Sequence, residues 1–91
     1  MSLPSSDKLI AALIKGGFYP RGKSKRGSHQ VFRKELPEGA RNVVVPLGKK
    51  EIPRGTLRSI LRQAGLTERQ LADLFKQPDI VKNLGRQFVA V

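Results

Sequence analysis

The chain contains a single histidine, and it sits in Arg26-Gly27-Ser28-His29. Histidine ionises closest to neutral pH of all side chains, so an accessible imidazole can carry a proton between reacting groups. The ordinary role of a lone histidine is that of a half-buried strand residue, and two local features argue for chemistry instead. Gly27 and Ser28 permit a tight turn that presents the ring at the start of a strand, positioned but accessible. Residues 15–34 hold Lys15, Arg21, Lys23, Lys25, Arg26, Arg33 and Lys34 with no acid, a charge of +7 that gathers phosphates beside the ring. Other reactive groups are missing or dispersed. With no cysteine there is no disulfide, thiolate zinc site or thiol nucleophile, and one histidine cannot build a multi-histidine metal site. Asp7, Glu35, Glu38, Glu51, Glu68, Asp73 and Asp79 are scattered in sequence, a poor basis for a two-metal nuclease. No metal or cofactor is expected.

A second group of residues points to the same kind of partner. Residues 41–62 hold Arg41, Lys49, Lys50, Arg54, Arg58 and Arg62 against Glu51, for +5, so the two stretches carry +12 and the rest of the chain cancels to −1. Arg54, Arg58 and Arg62 fall at i, i+4, i+8, one stripe of a helix that begins that early, away from Leu57, Ile60 and Leu61. An ordinary solvated face is the alternative. With no carboxylate four residues away, however, the three arginines repel one another, which favours an anionic partner. Lys49 and Lys50 precede that helix, and a basic loop with a helix N-terminus is how double-stranded-RNA-binding folds hold the phosphate backbone. Lys23, Lys25, Arg26, Lys49, Lys50, Arg54 and Arg58 are therefore the candidate RNA-binding residues. Aromatic residues number five, four Phe and Tyr19, too few to support base stacking on a sheet in the style of an RRM.

These residues need a scaffold, and 91 residues supply one small domain, 1–91. Ser5, Ser6 and Asp7 offer N-caps for a helix whose Leu9/Leu13 and Ile10/Ile14 pairs form an apolar stripe ending at Gly16-Gly17. Phe18-Tyr19 starts an extended segment that Pro20 and Gly22 cut short. His29–Lys34 alternates as a strand, with Val31 on one face and Phe32 on the other and the buried face open. Pro37-Glu38-Gly39 is a turn, and Asn42–Pro46 is a β-branched strand. Thr56 can cap a helix carrying Leu57, Ile60, Leu61 and Ala64, which Gly65 ends. Thr67–Gln70 forms a capping box for a short helix with Leu71, Leu74 and Phe75. Ile80, Val81, Leu84 and Phe88 suggest a terminal helix past Pro78. The expected fold is α+β in the order α-β-β-β-α, a three-stranded antiparallel sheet with helices packed on one face and an extra C-terminal helical segment. No apolar run approaches a membrane span, and no signal peptide is apparent, so the expected location is cytoplasmic.

A helix ending in Gly16-Gly17-Phe18, then Gly27-Ser28-His29, then Val43-Val44-Val45-Pro46, then Ile52-Pro53-Arg54-Gly55-Thr56-Leu57-Arg58-Ser59-Ile60-Leu61-Arg62-Gln63-Ala64-Gly65-Leu66 resembles the HicA toxin (YcfA-like) family. The likeness runs over about residues 8–75 and leaves 76–91 as an extension. It implies a double-stranded-RNA-binding-like fold, mRNA cleavage within a type II toxin–antitoxin system, and neutralisation by an acidic HicB-type antitoxin. The family's catalytic histidine matches His29, with Gly27 and Ser28 presenting it. Many members carry a further histidine in a Val-Pro-x-His setting after the third strand, where this chain has Val45-Pro46-Leu47-Gly48. With no cysteine and no clustered carboxylates, the expected chemistry is metal-independent: His29 deprotonates a ribose 2′-OH, and cations drawn from Lys25, Arg26, Lys49 and Lys50 stabilise the phosphorane. A non-catalytic module that holds structured RNA is the alternative. A helix-turn-helix DNA binder is a third reading, disfavoured because the arginines lie on the second helix rather than the reading helix. RNA and the antitoxin are the expected partners, with no membrane and no small-molecule cofactor.

Overall fold

The computed structural model describes residues 2–22 and 28–78. The order is α1 (Ser6–Lys15), β1 (Tyr19–Arg21), β2 (His29–Lys34), β3 (Arg41–Pro46), α2 (Arg54–Ala64) and α3 (Glu68–Lys76). The strands form one antiparallel sheet in the order β1-β2-β3, as the alternation and turn signals require. The α+β, α-β-β-β-α class read from the sequence is the observed one. Among the described residues no helix is long and apolar enough to cross a membrane.

Register decides which residues face inward. Phe32 lies across from Val43 and Gln30 across from Val45, on the face that α1 and α2 cover. Phe32 is 3% exposed and Val43 and Val45 are 0%, which resolves the open face of β2: Phe32 points in and Val31 points out. Leu9, Ala12 and Leu13 of α1, Leu57, Ile60, Leu61 and Ala64 of α2, Ile52 and Leu71 complete the core. Burying these side chains is the main favourable term in a domain this small.

The helix ends are chemically specified. Ser5 caps α1 by accepting from the Lys8 amide at 3.1 Å, and the Lys34 ammonium donates to the Gly16 carbonyl at the other end at 2.7 Å. Thr67 and Gln70 make the expected capping box, at 3.0 and 2.8 Å. Gly65 closes α2 at φ +71°, and the Leu66 amide bonds back to the Leu61 carbonyl at 3.0 Å. The angle calls for glycine there, and a Cβ would also push the end of the Arg41 side chain, whose guanidinium carbon lies 2.7 Å from its position.

Two expectations are corrected. The second helix begins at Arg54, not after Thr56; Pro53, at φ −57°, takes the N-cap position without a side-chain bond, leaving Thr56 within the first turn. Pro20 does not cut the first strand but lies inside β1, the edge strand, where a residue without an N–H need not cost a ladder bond. The terminal helix expected around Ile80, Val81, Leu84 and Phe88 lies outside the described residues.

Candidate active site

His29 opens β2 and is exposed. It lies across from Pro46, the last residue of β3, so the same register that buries Phe32 sets the imidazole on the outward side at one end of the sheet. There it helps line a cleft of about 490 Å³ with Ser28, Val44, Pro46, Leu47, Lys49, Pro53 and Thr56. The volume lies within the ordinary range for a ligand site. The Ser28 hydroxyl stands 3.1 Å from Nδ1 of His29, close enough to orient the ring. If the hydroxyl accepts from Nδ1–H, then Nε2 carries the lone pair and can act as a base.

The opposite wall is made from distant sequence. Ser6 is the buried polar side chain of the described residues, 1% exposed. Its hydroxyl donates to the Pro46 carbonyl at 2.7 Å and accepts from the Lys49 amide at 2.9 Å. The Ser6 amide also donates to the Lys49 carbonyl at 2.9 Å, and the Leu47 amide to the Ser28 carbonyl at 2.8 Å. The start of α1 therefore holds the loop between β3 and α2, and that loop places Lys49 on the cleft wall. Sequence reasoning saw Ser6 as one of three cap candidates and missed this role. Its polar character was visible; its partners, 40 and 43 positions away, were not.

The β3 edge is closed by α2. Gln63 accepts from the Val44 amide at 3.0 Å, which fixes the helix against the strand and brings Thr56 and Pro53 to the cleft. With α2 starting at Arg54, Thr56 stands in its first turn and on the cleft wall. That start also leaves the first amides of α2 uncapped by any side chain, with no acid in the first turn. Such a helix start favours an anion beside it.

The predicted site residues separate into groups. His29, Ser28 and Lys49 are brought together. Lys50 and Arg54 are exposed on the loop and helix start beside the cleft, and Arg58 and Arg62 continue outward from Arg54 as the expected stripe. Lys23, Lys25, Arg26 and Gly27 lie outside the described residues. Their flanks, Gly22 and Ser28, stand at the His29 end of the sheet, where Gln30 donates to the Gly22 carbonyl at 3.0 Å. Leu47, at the position where the family pattern has its variable residue, also lines the cleft, and Gly48 follows it at φ +72°. Among the described residues, no three His, Asp or Glu side chains converge.

At the far end of the sheet Glu35 accepts from the Tyr19 hydroxyl at 2.8 Å and from Nε of Arg33 at 2.9 Å. The Arg33 hydrogen bond, and then that from Tyr19, holds the Glu35 carboxyl below its usual range. The same carboxylate raises the Tyr19 phenol above 10.0.

Compared with known proteins, residues 6–66 match the family model described as HicA toxin of bacterial toxin–antitoxin. No curated protein matches the chain.

Proposed function

Since the chain belongs to the HicA toxin family of bacterial toxin–antitoxin systems, we propose that it acts as an mRNA endoribonuclease with His29 as its general base. The observation that carries this reading is the exposed His29 imidazole sharing a cleft with Lys49 and the uncapped first turn of α2. RNA supplies its own nucleophile, so one base, one cation and a phosphate-binding helix start make a sufficient set.

In the proposed reaction a scissile phosphate sits in the cleft against Lys49 and the start of α2. His29 takes the proton from the adjacent 2′-OH, and O2′ attacks phosphorus. The bond from phosphorus to the 5′ oxygen breaks, and that oxygen leaves with a proton. The products are a 2′,3′-cyclic phosphate and a 5′-OH, and DNA, which lacks the nucleophile, is spared. Lys49 stabilises the charge that builds on the phosphorane. The protonated imidazole or the Lys49 ammonium supplies the proton to the leaving oxygen. Lys50, Arg54 and Arg58 hold the flanking phosphates. Ser28 positions the ring. No cofactor enters the scheme.

Family membership places the chain in a toxin–antitoxin pairing. The partner that would silence this cleft is an acidic, HicB-like protein laid over Lys49 and the arginine stripe, with charges opposite to the net +11. Its association would weaken as salt rises.

The decisive experiment is His29→Ala. General acid–base catalysis contributes about 10²–10⁴ in rate, so cleavage of a defined mRNA should fall by that factor while circular dichroism and RNA affinity stay near wild type. Wild-type cleavage in the variant removes His29 from the reaction. Products ending in a 3′-OH rule out the 2′-OH route, and wild-type protein that shifts RNA in a gel without shortening it favours the non-catalytic module.

A further inference from the structure

Beyond the His29 rung, which the cleft uses, the outward face of the sheet has no task in the mechanism above. Its side chains stand in three rungs set by the register. His29 and Pro46 form the first, Arg21, Val31 and Val44 the second, and Tyr19, Arg33 and Asn42 the third. Tyr19 and Val44 are the exposed large hydrophobic residues of the described chain, each 43% exposed. Arg21 and Asn42 are also exposed. Glu35 grips the Tyr19 hydroxyl and Nε of Arg33, so both side chains are held in place before any partner arrives. The other nitrogens of the Arg33 guanidinium make no hydrogen bond among the described residues.

Occupancy follows from this chemistry. Pro20 offers no N–H at the β1 edge, so this side is poorly suited to strand addition and the open feature is the face itself. The face carries two arginines and an aromatic ring, and the one carboxylate at its end is already engaged by Arg33 and Tyr19. Rings and guanidinium groups in a positively charged track are the elements that hold unpaired bases and their phosphates. A base stacks on a ring only when it is unpaired, which selects single-stranded RNA over a duplex. Rungs on one face are about 6.8 Å apart, so Tyr19 lies about 14 Å along the sheet from the His29 rung, a span of a few nucleotides.

We propose, resting on the ribonuclease reading, that this outward face is the track for the single RNA strand leaving the cleft, with one base stacked on Tyr19 over the Val31–Val44 floor and phosphates on Arg21 and Arg33. Sequence alone disfavoured a multi-aromatic stacking sheet, and Phe18 and Phe32 are indeed in the core. One ring remains outside, enough for one base.

Tyr19 is the sole tyrosine and tryptophan is absent, so intrinsic fluorescence reports this site alone. The His29→Ala protein is titrated with a single-stranded RNA hexamer and with a dinucleotide. The hexamer should quench Tyr19 and the dinucleotide should not. In the same background, measured by fluorescence polarisation of a labelled hexamer, Tyr19→Ala should weaken binding roughly five- to hundredfold. Arg21→Gln should weaken it by less and flatten its salt dependence. With His29 restored, the gain in kcat/KM on extending the substrate from dinucleotide to hexamer should shrink in Tyr19→Ala. Unchanged hexamer affinity in folded Tyr19→Ala and Arg21→Gln overturns the track, as does loss of antitoxin binding alone, which would make the face a protein interface. Weakened hexamer binding by these variants in a protein that never cleaves RNA would keep the track and remove the ribonuclease reading.

Discussion

Two sides of this molecule use positive charge in opposite ways. On the α1–α3 side two cations make contacts within the fold: the Lys8 ammonium lies 4.8 Å from the Phe75 ring centre, and Lys34 donates to the Gly16 carbonyl while standing 5.8 Å from the Phe18 ring centre. On the α2 side Lys49, Lys50, Arg54, Arg58 and Arg62 all point to solvent, and none is in an ion pair among the described residues. The first set serves stability, ending a helix and covering aromatic rings. The second set adds mutual repulsion, which an arriving polyanion relieves. Positive charge therefore serves two ends here, and of these two sets only the second is free to meet a polyanion.

The contrast can be broken most forcefully on the α2 side. Replacing Arg54, Arg58 and Arg62 together with Ala should lower RNA affinity sharply at low salt. The slope of log K against log salt should shrink by roughly 0.7 for each arginine that meets a phosphate on a single strand. The melting temperature should hold or rise slightly because repulsion is removed. A stability loss without a binding loss would reverse the assignment of the two sides.

Ser6→Ala tests the join between them. It leaves the Pro46 carbonyl and the Lys49 amide without their side-chain partner and should cost about 1–3 kcal/mol in denaturant unfolding. Cleavage should fall further than the unfolded fraction explains, because Lys49 loses its anchor.

Lys34→Met keeps the aliphatic stem beside Gly17 but removes the ammonium, and with it the bond to Gly16, so about 0.5–1.5 kcal/mol of stability should go with no change in RNA affinity.

The smallest effect is a titration at the far end of the sheet. The raised Tyr19 phenol should ionise above 10.0 when followed by phenolate absorbance, and Glu35→Gln should bring it down toward the ordinary value. The sign for stability follows from that direction. The contribution is complete below the unfolded tyrosine value and is lost as pH rises through the raised folded one. For Glu35, held low, the contribution is present above the unfolded carboxylate value and is lost as pH falls through the depressed folded one.

What could be read from the sequence was local. The capping box at Thr67–Gln70, the left-handed Gly65 and the strand His29–Lys34 depend on neighbours within a few residues, and all appear where the residue types put them. The arginine stripe was legible for the same reason. The inward face of β2 was not, because Val31 and Phe32 are equally apolar and only the pairing with Val43 and packing under the helices choose between them. Nor was the Ser6 hydroxyl's role, the Gln63 contact with the β3 edge, or the presence of Thr56 on the cleft wall, each of which needs a partner far away in the chain. The histidine could be picked out from its rarity; the cleft that gives it a use could not.

The Ser6 contact also sets a time. Its hydroxyl bridges to partners 40 and 43 positions later, so a chain growing from its N-terminus carries His29 well before Lys49 exists to face it. Elongation adds roughly 5–20 residues each second. For the seconds that separate the two residues, the histidine has no opposing wall. Under the proposed chemistry, a protein that cuts messages completes its working corner only after residues 46–49 are free of the ribosome, a delay built into the order of the chain.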